Sequence, residues 1–440
     1  MTQRSRIPCD HGNRPWLLLA IAALVIAPTA LPAQQLDAGD TLHIRLLDRV
    51  RSHHHAHPLV RALVIAPVAS PDGRIVIPPG SVLSGRVTGG GSERFDGKRR
   101  WLGLQLDSLA IPVDDATSDS IHAAVSVRIA SVDDARESID SAGRIVGPPK
   151  PSVVHSKGDW AVVALGVFHP VGALVLAGML EGEMTERHRA VSFEAGRELT
   201  AVLTSRTTLP RWPAWHPPPR LASRGNEMVE SNVNDVAVSG VNPDSIAASV
   251  PLRANLPDGN APSDIIGLAV IGSAAQMHEA FAAAGWTRAV PMSLHGELMT
   301  LVKAARGEGY AAQPVSELVL ARRAPDEVYE KVADTFLKRH HFRVWRWPAG
   351  RLASDSTALW LIAATHDTGL MFSHQRHSFT HTVDPRIDLE RDKIVNDLIA
   401  AHRVAAMSYV RRTAPPAAPV AKDWREPPVT DWRMAVLVLR

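Results

Sequence analysis

The chain has 440 residues, enough for two or three domains, of which 45% are hydrophobic and 21% are charged. This composition permits packed cores and excludes wholesale disorder. The 48 Lys and Arg nearly balance the 45 Asp and Glu, leaving a formal net charge of +3, so the charge gives no support to a nucleic-acid partner.

The N-terminus has the order of features expected of a secretory signal peptide. Three arginines precede an apolar run from Trp16 to Ala27, and mostly small residues then lead to Ala33. The apolar run is shorter than a membrane-spanning helix, and a small residue suits the pocket of the signal peptidase. We therefore predict that residues 1–33 are removed and that the mature protein is exported to the periplasm or the cell envelope.

Cysteine usage agrees with this prediction. The chain has one cysteine, Cys9, which lies inside the segment expected to be removed. The mature chain would then contain no disulfide, no thiolate metal ligand and no cysteine nucleophile. Cys9 also precedes the apolar run, so it is not placed as a lipoprotein cysteine.

The fold class expected from the sequence is a multidomain α+β protein. Residues 36–207 are predicted to be a β-rich domain, a barrel or sandwich that carries an inserted apolar helical segment. Apolar residues alternate with polar ones in several short runs, as in strands with one buried face. Gly-containing turns separate the runs. The alternating apolar residues are Leu42, Ile44 and Leu46; Leu102, Leu104 and Leu106; and Val125, Val127 and Ile129.

A weak internal sequence repeat occurs within this region. The segment from Ile77 to Val87 aligns with that from Phe193 to Leu203, and in both a strand is expected to end at a Gly turn before the next strand begins. The first copy also resembles, over about 60 residues, the barrel domain of the channel-forming protein of bacterial type IV secretion systems. A shared strand–turn–strand solution is favoured over a shared function.

Between the two copies lies an uncharged apolar segment from Trp160 to Leu180. Its length is sufficient to span a bilayer, but Pro170 in its centre would kink a helix or split it into a hairpin. Three interpretations stay open: a transmembrane anchor, a buried helix or helical hairpin packed on the barrel, and a hairpin that dips into the membrane surface. An envelope or membrane component is accordingly the expected partner.

Residues 208–262 are rich in proline and polar residues, without a helix or strand period, and are predicted to be a linker. An irregular but ordered cover on one domain is the alternative. Residues 263–440 are predicted to form an α/β domain. Strands are expected at 265–271, 315–320, 342–347, 359–364 and 433–440, and helices after Ser273 and from Asp384 to about His402, with Asp384 as the cap.

Four segments of the last third carry a family resemblance. They are AFAAAGW at 280–286, RHHFRVW at 339–345, WLIAATHD at 360–367 and THTVDPRIDLERD at 380–392. Together, and in this order, they resemble the C-terminal domain of the LssY family. The resemblance implies a fold and a surface but no established reaction.

Histidine and aspartate are concentrated in the same region, from His340 to Asp392. Imidazole and carboxylate are the ligands that a site without thiols would use for zinc, manganese or iron. We therefore predict a candidate divalent-metal site. Its candidate ligands are His341, His366, Asp367, His377, His381, Asp388 and Asp392.

Two alternatives compete with the metal site. One is a pocket for an anionic ligand that uses Arg339 and Arg343; the other is a set of structural polar networks, in which Arg386, Arg391 and Lys393 pair the helix carboxylates. The sequence contains no HExxH, P-loop or GxSxG motif. Two functions stay open: an exported binding or structural module, and a metal-dependent hydrolase. The histidines at 53–55 and 57 are expected to lie in a solvated loop.

Overall fold

The computed structural model describes residues 34–52, 58–70, 73–92, 100–113, 119–135, 137–147, 191–209, 215, 217–222, 235–236, 241–257, 261–289, 318–331, 339–348, 357–373, 378–413 and 427–440. At 91–92, 235–236, 369–373 and 378–381 only the backbone is described. The predicted signal peptide, the apolar segment 160–180, the histidines at 53–55 and 57, and His377 lie outside the described residues.

The N-terminal half consists of β-strands. Their bounds are β1 Gln34–Leu36, β2 Thr41–Leu46, β3 Val50–Arg51, β4 Leu59–Val64, β5 Val68–Ala69, β6 Ile75–Ile77, β7 Val82–Ser92, β8 Arg100–Pro112, β9 Ser120–Val132, β10 Ser138–Ile139, β11 Ile145–Val146, β12 Ser192–Phe193, β13 Glu198–Leu203 and β14 Thr207–Leu209.

Six of these strands close into a barrel. They are hydrogen-bonded in the order β8-β7-β4-β2-β13-β9, and β9 pairs back onto β8. All six pairings are antiparallel. Closure removes the unpaired edges that an open sheet of this size would expose.

The alternation in the sequence decides which side chains fill the barrel. In β9 the buried positions from Ala123 to Ile129 alternate with exposed ones, and the same pattern occurs in β2 and β4. The inward residues, including Leu42, Ile44 and Leu106, form one apolar core. The predicted β-barrel and its strands are confirmed.

The internal sequence repeat has a structural basis. β6 is followed by a turn at Gly80 and then by β7, and β12 is followed by a turn at Gly196 and then by β13. Both glycines have positive φ angles, +93° and +94°, a conformation that residues with a Cβ adopt at a cost. The two copies therefore share a strand–turn–strand geometry, as the sequence predicted.

The C-terminal half contains three helices and eleven strands among its described residues. Their bounds are β15 Arg220–Leu221, β16 Asp235–Val236, α1 Pro243–Ser249, β17 Arg253–Asn255, β18 Pro262–Gly272, α2 Ala274–Ala283, β19 Thr287–Arg288, β20 Glu327–Glu330, β21 Arg339–Trp347, β22 Ala358–Ser373, β23 Ser378–Val383, α3 Ile387–Ala400, β24 Val404–Arg411 and β25 Arg433–Leu439.

These strands form one mixed sheet with helices on both faces. Its order is β16-β15-β24-β25-β18-β22-β21-β20-β19, with β17 also paired to β18 and β23 to β22. Helices α2 and α3 pack on one face through Phe281, Ile394 and Leu398. Helix α1 packs on the other face, in a core that includes Ala247 and Trp345. Within the described part of the chain, no helix is long and apolar enough to cross a membrane.

Most of the C-terminal elements were predicted. β18, β21, β22 and β25 occupy the expected positions, and Ser273 caps α2 with a reciprocal capping box to Gln276. The predicted start of α3 was wrong in its detail. Arg386 is the N-cap residue, and Asp384 instead accepts a hydrogen bond from the Arg386 backbone N–H, before the helix begins. The helix ends at Ala400, two residues earlier than predicted.

Part of the predicted linker is ordered structure. The stretch 208–262 contains α1 and β17, and Leu221, Ala247 and Ala254 are buried in the core beneath the C-terminal sheet. The helix has seven residues, too few to show a helical period in the sequence. Its start was nevertheless encoded, because Asn242 caps it and Pro243 occupies the first turn.

Gly85 allows β7 and β8 to approach closely, and it provides a test of barrel closure. The strand register shifts at this residue, and an added Cβ would lie 1.8 Å from the carbonyl oxygen of Gln105. We expect Gly85→Ala to lower the free energy of unfolding by about 3 kcal/mol or more, because backbone must move. Gly147→Ala is the control, since its nearest atom would be 3.4 Å away. Equal urea-unfolding free energies for the two variants would contradict this account.

Candidate functional site

Two neighbouring strands place the polar residues of the C-terminal sheet. In the antiparallel pair β21–β22, Arg339 lies opposite Asp367, His340 opposite His366, and His341 opposite Thr365. Because side chains alternate between the faces of a strand, His340 and His366 share the face that carries α2 and α3. Arg339, His341 and Asp367 share the opposite face. The predicted ligands are therefore divided between two sides of the sheet.

The first group of residues contains Asp134, His340 and His366, and we call it the Asp134 group. The Nε2 atom of His340 lies 3.1 Å from one carboxylate oxygen of Asp134, and the Nε2 atom of His366 lies 3.1 Å from the other. The two imidazole rings are stacked, with centroids 4.1 Å apart. Asp134 comes from the barrel, immediately after β9, so the group joins the two halves of the chain.

Helix α3 adds a second carboxylate. Glu390 is buried, and its Oε2 atom lies 2.7 Å from Nδ1 of His340. His340 is thus held between Glu390 and Asp134 through its two ring nitrogens. Burial alone would lower the pKa of His340, but the charge of Glu390 and the hydrogen bonds to Asp134 and Glu390 raise it to about 10. Burial opposes ionisation of Asp134 as well, yet His340 and His366 hold its pKa well below the ordinary value of 3.8.

The second group lies on the opposite face of the sheet, and its arginines form ion pairs with aspartates of the same group. Asp367 accepts a 2.8 Å hydrogen bond from Nε of Arg339 and lies 3.5 Å from Nδ1 of His341. Arg343 lies 2.9 Å from Asp264, and all five side chains are almost fully buried. Arg339 and Arg343, predicted as a candidate anion-binding pair, therefore have carboxylate partners within the protein.

The third group surrounds Arg391 on α3. Its guanidinium lies 3.2 Å from Asp388, 2.8 Å from Asp392 and 2.8 Å from Asp431. Asp392 also accepts a hydrogen bond from the hydroxyl of Tyr409. The repulsion between Asp388 and Asp392, one helical turn apart, is thus offset by a buried arginine. This is the structural-network alternative that the sequence left open.

Of the five predicted metal ligands whose side chains the structure describes, one lies in a group with the spacing of a metal site. That residue is His366. His341 and Asp367 belong to the second group, and Asp388 and Asp392 to the third. His377 lies outside the described residues, and only the backbone of His381 is described, in β23.

A fourth group of charges, which we call the interface network, crosses from the barrel to the C-terminal sheet. Arg45 on β2 and Glu198 on β13 come from the barrel; Lys331 after β20, with Lys393 and Asp397 on α3, comes from the other side. Glu198 forms ion pairs with Arg45, Lys331 and Lys393. Asp397 forms ion pairs with Arg45 and, at 2.8 Å, with Lys331.

The side chains of the interface network are largely buried. The side chain of Asp397 is fully buried, and its second oxygen also accepts a 3.1 Å hydrogen bond from Nε1 of Trp286. Burial lowers the pKa of Lys331 to about 8 even though Asp397 and Glu198 oppose the shift. A small pocket beside the network is lined by Glu198, Lys331, Asp134 and His340, among others, and thus links the network to the Asp134 group.

Sequence reasoning missed most of these partners. Asp134, Glu390 and the interface network were not proposed as a site, because their members lie far apart in the sequence. One signal was present: Asp133 and Asp134 directly follow the alternating β9 pattern, at the end of a strand. Glu390 also lies within one of the four family-like segments.

Removing one charge from the interface network should be costly. Asp397→Asn leaves Arg45 and both lysines with one carboxylate, so we expect the free energy of unfolding to fall by about 3 kcal/mol or more. The control is Asp140→Asn, which breaks a partly exposed pair with Arg144 and should cost about 1 kcal/mol or less. Urea unfolding of the full chain measures both. Similar losses in the two variants would contradict the role assigned to the network.

The same network predicts a pH dependence. Burial alone would raise the pKa of Glu198, but Lys331, Lys393 and Arg45 outweigh burial and hold it well below its ordinary value of 4.5. Because the pKa of Glu198 is lower in the folded protein than in the unfolded chain, the ionised carboxylate stabilises the fold at pH values above 4.5. This stabilisation is lost as the pH falls below 4.5. We therefore expect the stability difference between the wild type and Glu198→Gln to shrink from pH 6 to pH 3. A difference in melting temperature that stays constant over this range would refute the assignment.

Comparison with known proteins adds two findings. Residues 250–422 match the model of the LssY C-terminus family, which confirms the resemblance seen in the C-terminal motifs. Among solved structures, the chain is similar to ComB10 of the Com type IV secretion system of Helicobacter pylori. The identity is 13% and the TM-score 0.24, and the match covers 41% of this chain and 93% of that chain. This likeness carries no functional argument.

No curated protein matches the sequence. Residues 250–422 are therefore the part of the chain that is similar to the LssY C-terminus family, and this part contains His340, His366 and Glu390 but not Asp134.

Proposed function

We propose that the protein is an exported component of the bacterial cell envelope that works as a binding or structural module. In this proposal the barrel and the C-terminal sheet act as one unit, without catalysis. The observation that carries the proposal is the interface network, because it commits buried charges of both halves to each other.

The location of the charged residues supports a structural role. On the sheet face opposite α2 and α3, Arg339 and Arg343 are paired with Asp367 and Asp264. On α3, Arg391 binds three aspartates. Side chains that are held in buried ion pairs of this kind organise the fold, since breaking a pair leaves an uncompensated buried charge.

Export is supported by the N-terminal sequence. A positively charged start, a short apolar run and a small residue before the predicted cleavage position are the three parts that the export machinery and signal peptidase require. The mature chain would contain no cysteine, so it needs no oxidative folding step in the periplasm. An envelope or membrane component is the proposed partner.

The alternative, a metal-dependent hydrolase, lacks comparable support. Such an enzyme needs an open coordination position and a cleft for the substrate beside the metal. Asp388 and Asp392 surround Arg391, and His341 and Asp367 are buried on the other side of the sheet. The described residues near His340 border a small pocket. These observations add no support for a hydrolase, so this function stays a prediction from the sequence.

Export can be tested with a matched pair of leucine substitutions. The full chain with a C-terminal tag is produced in a Gram-negative host, and the N-terminus of the periplasmic product is determined by mass spectrometry. We expect it to begin near residue 34. Leu19→Arg places a charge in the apolar run and should leave the protein uncleaved in the cytoplasm.

Leu59→Arg is the control for the added charge, because Leu59 is an 80% exposed residue of the barrel. This variant should be exported and cleaved like the wild type. Recovery of uncleaved wild-type protein from the cytoplasm, or normal cleavage of Leu19→Arg, would contradict the proposed export.

A further inference from the structure

We propose that Asp134, His340 and His366 bind one divalent transition-metal ion at the junction of the barrel and the C-terminal domain. This inference goes beyond the proposed function and does not depend on export. It rests on the geometry of the Asp134 group and on the environment of His340.

The first support is the convergence of donor atoms. One ligand atom from each of the three residues lies within 4.8 Å of the others. Both Nε2 atoms face the same carboxylate, each at 3.1 Å from a different oxygen, and the stacked rings keep them side by side. Zn–N bonds are about 2.0–2.1 Å and Zn–O bonds about 2.0–2.2 Å, so small side-chain adjustments would allow one ion to contact all three residues.

The second support is the carboxylate behind His340. A histidine that binds a metal through one ring nitrogen usually donates the other N–H to a carboxylate or carbonyl, which fixes the ring and its tautomer. Nδ1 of His340 lies 2.7 Å from Oε2 of Glu390. A metal ion would take the place of the Nε2 proton that faces Asp134, while the Nδ1 proton stays directed at Glu390. Glu390 is only 4% exposed, and its Oε1 atom has no hydrogen-bond partner among the described residues.

The third support is the local charge. Two carboxylates, Asp134 and Glu390, flank His340 in a site where all three side chains are at most 16% exposed. Buried anions require a nearby positive charge, and a divalent cation that replaces the Nε2 proton of His340 would supply it. The donor set of two nitrogens and a carboxylate suits zinc, iron, cobalt or nickel, whereas magnesium and calcium prefer oxygen ligands alone.

The backbone of Asp134 agrees with a constrained site. Its φ angle is +54°, in the left-handed region that residues other than glycine seldom occupy. Such conformations are costly and tend to persist where the surrounding structure requires them. Here the conformation accompanies a carboxylate that the barrel presents to two histidines of the other half. The metal would thus bridge the barrel and the sheet.

The test uses the purified full chain after chelation and dialysis. Zn²⁺ binding is measured by isothermal titration calorimetry, and Co²⁺ binding by its visible absorption, which reports nitrogen and oxygen coordination. We expect one high-affinity ion per chain. His366→Gln removes one of the three ligands and should weaken Zn²⁺ binding about 100-fold or more. Glu390→Gln, which changes only the supporting carboxylate, should weaken it about 10- to 100-fold.

Two controls define the site. His278→Gln alters a histidine that also faces a carboxylate, Glu327 at 2.8 Å, but has no second imidazole in that contact; its affinity should match the wild type. The quadruple variant H53Q/H54Q/H55Q/H57Q removes the histidine-rich segment of the sequence and should still bind one ion. Circular dichroism and melting temperature verify that each variant is folded.

Asp134→Asn tests the barrel's contribution independently, in case His366→Gln disturbs the sheet. A wild type without a high-affinity ion overturns the proposal. So does unchanged affinity in a folded His366→Gln or Asp134→Asn, or loss of the ion in the quadruple variant alone. Because these measurements use purified protein, their failure is separate from a failure of export.

Discussion

A buried charge needs a partner, and this constraint joins the two halves of the protein. Glu198 leaves the barrel wall at a position where its nearest cations, Lys331 and Lys393, belong to the C-terminal half. Asp397 on α3 in turn depends on Arg45 of the barrel. If the halves were separated, each would contain charged side chains that had lost their ion-pair partners. These buried ion pairs therefore help to fix the relative position of barrel and sheet.

The same constraint explains why several candidate metal-binding and anion-binding residues serve the fold. Arg391 is almost fully buried on α3, so it gathers Asp388, Asp392 and Asp431 around it. Asp264 and Arg343 cross the opposite face of the sheet as a buried pair in which burial raises the pKa of the acid and lowers that of the base. The Asp134 group differs, because two imidazoles meet two carboxylates there.

The sequence predicted the secondary-structure elements better than it predicted the tertiary contacts between them. Alternation in β2, β8 and β9 and the apolar runs of β18 and β22 are local signals, and the structure confirms these strands. The cap at Ser273 is equally local. Helix α1 was missed because seven residues carry no measurable period. For the site, residues close in sequence were grouped together, yet strand alternation sends His340 and His341 to opposite faces. Asp134 could not be placed, because barrel closure and docking bring it to His366.

The position of β25 has a consequence for how the domain folds. β25 lies between β24 and β18, and it pairs in parallel with β18 so that Leu268 lies beside Ala435. One side of the central strand β18 therefore lacks its partner until a segment synthesised far later arrives. Contacts of such long sequence separation slow folding, and an open apolar strand edge is prone to pairing with other chains in the interval. We therefore expect the docking of residues 433–439 between β18 and β24 to be a late step in the folding of this domain.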